Sequence, residues 1–191
     1  MSPPPEVDAV FTQACAVLQG EKVEFVLLGG LAVNVWGVPR TTHDVDFEVQ
    51  LPRPELARLL EAFRREGFTV PEAHARGFVD DVAGNPLVKL LWWAGDKAVD
   101  VDLFLVEGPF LRQVFERRVP TEVLGKPCSV ASAADVILLK LLSWRDRDRV
   151  DIENILLVQG VPDAAYLSDW ARRLGVADRL EAALAKRDRG I

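Results

Sequence analysis

A diglycine and the alternating segment that follows it constrain the fold of this 191-residue chain more than any other feature. The apolar run at residues 23–28, which precedes Gly29-Gly30, has the length of a strand, and residues 31–36 predict one or two helical turns. A diglycine between a strand and a helix lets the backbone approach a ligand and turns free N–H groups towards an anion. Taken alone, this order indicates either a phosphate site or an ordinary tight turn.

The second part of this feature is the segment Asp44–Val49, in which polar and apolar residues alternate. With a period of two, Asp44 and Asp46 point to one side of a predicted strand, and the apolar residues between them point into a core. Because a strand rises about 3.3 Å per residue, the two carboxylates lie roughly 7 Å apart, a distance that one or two divalent cations can bridge. The same alternation also occurs on strands whose acids merely face solvent.

A later hairpin repeats the acidic pattern. Residues 87–93 predict a strand, residues 94–97 a turn and residues 98–105 the partner strand, on which Asp100 and Asp102 share one face. A carboxylate among the residues of a core strand is costly to bury unless it is paired or bound to a metal. Two separate strands that both carry such acids therefore favour a metal site over solvent-facing acids.

The remaining elements are mostly helical, and the composition changes from strand-rich to helix-rich near residue 108. We predict a loop over Pro71–Asn85 with a short strand at Gly77–Val79, a strand over 119–124, and helices over residues 6–20, 53–65, 108–118, 133–144, 152–159, 163–174 and 177–186. Ser132 is expected to cap the apolar helix 133–144, with Asp135 at its third position. Lys140 on this helix either extends to solvent or reaches into a site.

The composition describes an ordinary globular protein, with 49% hydrophobic and 27% charged residues. The net charge of −6 argues against non-specific coating of nucleic acid, since that affinity comes mostly from neutralising phosphates. The chain shows neither an export signal nor a membrane-length apolar run, so we expect a cytoplasmic protein with no membrane partner. In that compartment Cys15 and Cys128 are expected to be reduced and buried.

These residues resemble the minimal nucleotidyltransferase superfamily, which includes DNA polymerase beta and kanamycin nucleotidyltransferase. Its pattern is an apolar strand, Gly-Gly or Gly-Ser, a short spacer, Asp-x-Asp or Asp-x-Glu, and a third acid on a later strand. Within the superfamily, the chain looks most like the branch of AbiEii-type toxins from abortive-infection and type IV toxin–antitoxin systems. The segments that carry this likeness, within about residues 20–160, are Gly29–Asn34, Arg40–Asp46, Val101–Phe104, Val130–Lys140 and Arg147–Asp151.

The resemblance implies a mixed α/β fold, with a nucleotidyltransferase-type mixed β-sheet flanked by helices over residues 1–125 and a helical bundle over 126–191. It implies NMP transfer from an NTP to a hydroxyl group, with two Mg²⁺ ions as cofactors. The metal ligands would be Asp44, Asp46 and Asp102, and Lys140 would act as a point charge on phosphate. The implied NTP-binding residues are Gly29, Gly30, Arg40, Thr41, Asp148 and Asp151, of which the last two would position the lysine, the base or the substrate.

Several alternatives stay open at this point. The acceptor is a tRNA, a protein partner or an aminoglycoside-type small molecule, and a cognate antitoxin-like protein is a further implied partner. A non-catalytic binding module with the same fold is the competing function. Asp100 duplicates the position of the third acid, and Asp102 is favoured because Leu103-Phe104 follows it in the family pattern. His43 either contacts substrate or makes a local hydrogen bond.

Overall fold

The computed structural model describes residues 4–76, 80–82 and 85–189. All the strands of the described residues lie in about the first two thirds of the chain, up to Val130, and four helices follow them. The elements are α1 (Pro5–Gly20), β1 (Glu24–Leu27), α2 (Gly29–Trp36), β2 (Asp44–Gln50), a 3₁₀ turn (Arg53–Glu55), α3 (Leu56–Arg65), α4 (Glu72–Ala75), β3 (Asp80–Val82), β4 (Asn85–Ala94), β5 (Lys97–Leu105), α5 (Gly108–Glu116), β6 (Val119–Val123), β7 (Lys126–Val130), α6 (Ala133–Ser143), α7 (Asp146–Gln159), α8 (Ala164–Arg173) and α9 (Ala177–Asp188).

In the described residues, seven strands form one mixed sheet in the order β3-β4-β5-β2-β1-β7-β6. The central pair, β2 and β5, is parallel, although about fifty residues separate the two strands along the chain. Strand β2 also pairs with β1 in the antiparallel direction, which brings the end of β1 and the start of α2 beside the acidic segment. The two acidic strands and the diglycine therefore meet in the middle of the sheet.

The apolar face of β2 packs against α1. The ring of Phe47 stacks on that of Phe11 with the ring centroids 6.1 Å apart, and both side chains are fully buried. Val45 and Val49 on the same face are also fully buried. Because side chains alternate along a strand, this packing turns Asp44 and Asp46 to the opposite face.

The C-terminal helices cover part of that opposite face. Strand β7 pairs with β1 through Val130, and the chain then passes through Ala131 and Ser132 into α6. Trp36 of α2 donates a hydrogen bond of 2.8 Å from Nε1 to the carbonyl oxygen of Ala131, which fixes this connection against the diglycine helix. Ser132 caps α6 as expected, with its Oγ accepting from the backbone N–H of Asp135 at 3.3 Å.

The expected mixed α/β fold is confirmed, and two local predictions are corrected. The predicted loop Pro71–Asn85 contains the short helix α4 and the edge strand β3, while the predicted strand Gly77–Val79 lies outside the described residues. Helix α7 begins at Asp146, six residues earlier than predicted, because the Asp148 carboxylate accepts from the backbone N–H of Arg145 at 2.9 Å and so stabilises the first turn.

The predicted domain boundary between residues 125 and 126 stays a prediction. The β6–β7 hairpin has one strand on each side of this boundary. None of the helices in the described part of the chain has the length and apolar character that a membrane span needs.

Candidate active site

A cleft of about 770 Å³ lies between the acidic face of the sheet and helices α6 and α7. Its floor is formed by β2 and β5, one wall by the start of α2, and the other wall by α6 and the first turn of α7. The lining residues are Leu28, Gly29, Gly30, Arg40, Asp44, Asp46, Lys89, Asp102, Phe104, Val136, Leu139, Lys140, Leu142, Ser143, Arg145 and Arg147. The cleft is therefore acidic on its floor and basic on its helical wall.

The parallel register of β2 and β5 determines which acids meet. Asp46 lies opposite Asp102, and Asp44 lies opposite Asp100. Asp102 lines the cleft and its side chain is 18% exposed, whereas Asp100 is exposed and does not line the cleft. The fold thus sets Asp102, rather than Asp100, beside the carboxylates of β2 in the cleft.

Gly29 makes room for one of these carboxylates. Its φ of +60° belongs to the left-handed region, and a Cβ built on Gly29 would lie 1.7 Å from Oδ2 of Asp46. Any side chain at this position would displace the Asp46 carboxylate as well as strain the backbone. Gly29 therefore allows the start of α2 to contact Asp46 directly.

Gly30 has the same relation to Thr42, a residue that sequence reasoning did not single out. A Cβ on Gly30 would lie 2.3 Å from Oγ1 of Thr42, and Thr42 is fully buried. Thr42 Oγ1 donates a hydrogen bond of 2.5 Å to Oδ1 of Asp44. Thr42 thus holds Asp44 in place from beneath the diglycine. In the sequence, this role of Thr42 is indicated only by its position two residues before Asp44.

The floor of the cleft carries concentrated negative charge. Burial raises the pKa of Asp46 to about 7, and repulsion from Asp44 and Asp102 adds to the rise. Burial also raises the pKa of Asp102, against the lowering effect of the Lys89 ammonium, whose Nζ lies 3.6 Å from Oδ2. These carboxylates are therefore less stable as anions than ordinary aspartates, and a bound cation would relieve that cost.

The donor set fits a hard divalent cation. Carboxylate oxygens are preferred ligands of Mg²⁺, and Oδ1 of Asp102 is buried without a hydrogen-bond partner among the described residues. Within residues 4–76, 80–82 and 85–189, no three His, Cys, Asp or Glu side chains are already grouped as a ligand set. Thr42 donates a hydrogen bond to Asp44, and the Lys89 ammonium partly balances the negative charge of Asp102.

The helical wall holds a second set of charges, in which each acid is paired with cations. Lys140 is 7% exposed, and its Nζ lies 3.0 Å from Oδ1 of Asp148 and 2.9 Å from Oδ2 of Asp151. Arg40 makes a bidentate pair with Asp151, at 2.5 and 2.8 Å. Arg145 Nε donates to Asp148 at 2.8 Å. Lys140 thus reaches into the site instead of extending to solvent.

These pairs reverse the effect of burial on the acids. Burial alone would raise the pKa of Asp148, but the hydrogen bond from Arg145 and the charge of Lys140 outweigh it and lower the pKa. Likewise, the bonds from Arg40 and Lys140 lower the pKa of Asp151 against its burial. Both acids are therefore anions that hold cations in position.

The cleft also contains a cation that is not committed to an acid. Arg147 is exposed and lines the cleft, and it makes no ion pair with any carboxylate that the structure describes. Two other residues considered from the sequence lie outside the lining. Thr41 is half-buried and its carbonyl oxygen accepts from Nη1 of Arg40 at 3.0 Å, while His43 is exposed.

Glu48 continues the acidic face of β2 but is buried beneath the helices instead of facing solvent. Its side chain is fully buried, and neither carboxylate oxygen has a hydrogen-bond partner within the described part of the chain. Burial raises its pKa to about 9, and the nearby Asp135 adds to the rise. Glu48 is therefore a neutral acid at pH 7, two residues from Asp46.

The chain is similar to known proteins at the level of family and fold. A family model described as the nucleotidyl transferase AbiEii toxin of a type IV toxin–antitoxin system matches residues 13–189. No curated protein is significantly similar to the chain. The fold agrees with that of solved nucleotidyltransferase-like structures of low sequence identity.

Three of these structures extend over most of the chain. The antibiotic-resistance factor ANT(2'')-Ia is 14% identical, with a TM-score of 0.57 and coverage of 97% of both chains. The lincomycin-bound lincosamide adenylyltransferase LnuA is 14% identical, with a TM-score of 0.53 and coverage of 82% of this chain and 98% of its own. An antigenic nucleotidyltransferase-like protein from Paracoccidioides brasiliensis is 18% identical, with a TM-score of 0.51 and coverage of 92% and 91%.

Proposed function

The chain belongs to the AbiEii nucleotidyl transferase family, and on that premise we propose that it transfers an NMP from an NTP to a hydroxyl acceptor. Two Mg²⁺ ions would be held by Asp44, Asp46 and Asp102. The observation that carries the proposal is the pairing of Asp46 with Asp102 beside the diglycine, on the floor of one cleft. The unpartnered, buried Oδ1 of Asp102 among the described residues supports it.

Nucleotidyl transfer requires in-line geometry and neutralised charge, and bound Mg²⁺ would supply the charge neutralisation. The remaining requirements are met by the chain itself. The first N–H groups of α2, at Gly29 and Gly30, belong to the positive end of a helix that lines the cleft, where they would receive the triphosphate. Asp102, whose pKa is raised by burial, is suited to accept the proton of the attacking hydroxyl group.

The basic wall would bind the phosphates from the other side. Lys140, held by Asp148 and Asp151, would present a fixed positive charge. Arg147 has its charge available, since it has no carboxylate partner in the described residues, and it would contact the phosphates or the acceptor directly. Arg40 would act mainly through Asp151, because its guanidinium is committed to that carboxylate.

The acceptor in this proposal is a tRNA or a protein, and the chain acts as the toxin of a two-gene system with an antitoxin-like partner. A small hydroxylated molecule is the alternative acceptor, since ANT(2'')-Ia is also known with adenylyl-2''-tobramycin and LnuA with lincomycin. Those structures share the fold with this chain at 14% identity, so they do not decide the acceptor.

The proposal is tested by incubating the full chain with each α-³²P-labelled NTP and MgCl₂. Total tRNA, a protein lysate and a panel of aminoglycosides and lincosamides serve as separate acceptors. We expect label transfer to one acceptor class, loss of transfer in EDTA, and loss in Asp46→Asn. The matched variant Asp100→Asn removes an acid from the same sheet face outside the cleft and should retain transfer.

Two outcomes would overturn the proposal. Transfer that persists in Asp46→Asn or in EDTA would exclude the carboxylate cluster as the metal site. Metal-dependent NTP binding without transfer to any of the three acceptor classes would support the binding-module function instead. The toxin role has its own test, because expression of the wild-type chain, but not of Asp46→Asn, should arrest bacterial growth.

A further inference from the structure

The two cysteines of the chain lie together on the far side of the sheet from the cleft walls described above. Cys15 is on α1 and Cys128 is on β7, and their thiols are within hydrogen-bonding reach of each other. Both side chains are buried, at 5% and 7% exposure, and both are free thiols. Two thiols so close together, in elements far apart along the chain, are a pair and not isolated core residues.

A groove gives one of the thiols a route to solvent. It has a volume of about 330 Å³, and its lining includes Cys128 of β7 and Gln19, which lies one helical turn after Cys15 on α1. Arg118 and Phe25 form other parts of the rim. Cys15 does not line this groove, so a small molecule that enters it meets Cys128 first.

The surroundings also divide the roles of the two sulfurs. The hydrogen bond from the Cys15 thiol lowers the pKa of Cys128, whereas that interaction and burial raise the pKa of Cys15. The thiol with the lowered pKa is also the one that lines the groove. Cys128 is therefore the better nucleophile, and Cys15 is placed to react second.

We propose that Cys15 and Cys128 form a redox modification site, in which glutathione disulfide or a similar small disulfide converts the two thiols into an internal disulfide. The Cys128 thiolate attacks one sulfur of the small disulfide, whose S–S bond breaks and releases one glutathione thiolate. Cys15 then gives up its proton to solvent and attacks the Cys128 sulfur, which releases the second glutathione. The two protein thiols lose two electrons, and the small disulfide is reduced to two thiols.

The bond joins α1 to the strand that leads into α6. Only Ala131 and Ser132 separate β7 from that helix, and the bond closes a loop of more than one hundred residues. Closing so long a loop restricts the unfolded chain strongly. Oxidation should therefore raise the melting temperature, by about 10 °C for a chain of this size.

The test uses the full chain, first reduced and then equilibrated with glutathione disulfide. Remaining thiols are alkylated with N-ethylmaleimide under denaturing conditions, followed by intact mass and non-reducing peptide mass spectrometry. In the wild type we expect loss of both alkylation sites, a Cys15–Cys128 peptide link, and the higher melting temperature. Cys15→Ser should keep one glutathione on Cys128, and Cys128→Ser should react at least tenfold more slowly at Cys15.

Three results in the wild type would overturn the inference: two thiols that remain free, a mixed disulfide that persists without closing, or a disulfide between two chains. Circular dichroism establishes whether each serine variant is folded, and Cys15→Ala is the substitute if Cys15→Ser is not. Whether or not the serine variants fold, the wild-type result alone shows whether the internal disulfide forms. None of these readouts depends on nucleotidyl transfer, so the two proposals fail separately.

Discussion

The floor of the cleft and its helical wall carry carboxylates in opposite electrostatic states. On the sheet, Asp46 and Asp102 lie among other acids, and their pKa values are raised. On α7, Asp148 and Asp151 are fully buried, yet their pKa values are lowered because Lys140 and two arginines contact them. Burial is common to both clusters, and the supply of cations from the chain itself is the difference.

This difference separates two roles that look alike in the sequence. A carboxylate cluster that the protein leaves short of cations is suited to recruit metal ions, whereas one that the protein neutralises internally acts as a support for its own lysine and arginines. The following predictions test this division, beginning with the largest expected effect.

Asp102→Asn should reduce kcat/KM for the proposed nucleotidyl transfer about a thousandfold, because it would remove a proposed metal ligand and proton acceptor from the sheet cluster. Asp100→Asn, in the neighbouring register position outside the cleft, should change kcat/KM less than twofold. Steady-state kinetics and isothermal titration with Mg²⁺ and NTP measure both effects. Equal losses in the two variants would remove the distinction between these acids.

Asp151→Asn should lower the free energy of unfolding by about 3 kcal/mol, since it leaves Arg40 and Lys140 without a buried counter-charge. Asp169→Asn is the matched control, because Asp169 pairs with Arg173 at 2.8 Å on the surface and should cost less than about 0.5 kcal/mol. Urea unfolding monitored by circular dichroism measures both. A small loss of unfolding free energy in Asp151→Asn would show that Asp151 does not stabilise the fold through Arg40 and Lys140.

Glu48→Gln should stabilise the chain by several kcal/mol at pH 8 and by about 1 kcal/mol or less at pH 5. The folded chain keeps the Glu48 proton up to a pKa of about 9, while the unfolded chain releases it near the ordinary value of 4.5. The wild type therefore loses stability as the pH rises between these two values, and glutamine removes that loss. Chemical unfolding in EDTA across this pH range measures the free energy of unfolding, and Glu61→Gln, at an exposed position, is the control. A difference between Glu48→Gln and the wild type that does not change with pH would show that Glu48 is not a buried, neutral acid.

Arg147→Gln should raise the KM for the NTP or the acceptor about tenfold, equivalent to about 1.4 kcal/mol, and leave the unfolding free energy unchanged. Arg149→Gln is the control on the same helix, since Arg149 lies outside the cleft lining and pairs with Asp146 at 3.4 Å. Kinetics with varied NTP and varied acceptor would identify which substrate Arg147 contacts. An unchanged KM for both the NTP and the acceptor would show that Arg147 contacts neither substrate.

Part of this arrangement follows from the sequence alone. Alternation predicts that Asp44 and Asp46 share a face, and the Ser132 cap and the length of α6 are local properties. The opposition of Asp46 and Asp102 is different, because it depends on the parallel pairing of strands that are not consecutive. No local pattern determines that register.

Other features escaped prediction because they are contacts between distant segments. The close approach of Gly29 to Asp46 gives the glycine a steric role that the diglycine pattern alone does not reveal. Strand periodicity places Glu48 on the same face as Asp44 and Asp46, and only the folded structure shows that this position is fully buried. The sequence does not determine whether Lys140 extends to solvent or reaches into the site. Its ion pairs with Asp148 and Asp151 on α7 determine this orientation.

The ion pairs of Arg40 and Lys140 also affect the thermodynamics of ligand binding. Ordering a long, flexible side chain upon binding costs about 0.5–1.5 kcal/mol. Here both side chains are immobilised by Asp151 when the chain folds, Arg40 from more than one hundred residues away in the sequence and Lys140 from the preceding helix. The loss of side-chain entropy therefore occurs once, during folding, and is not repeated with every ligand that enters the cleft.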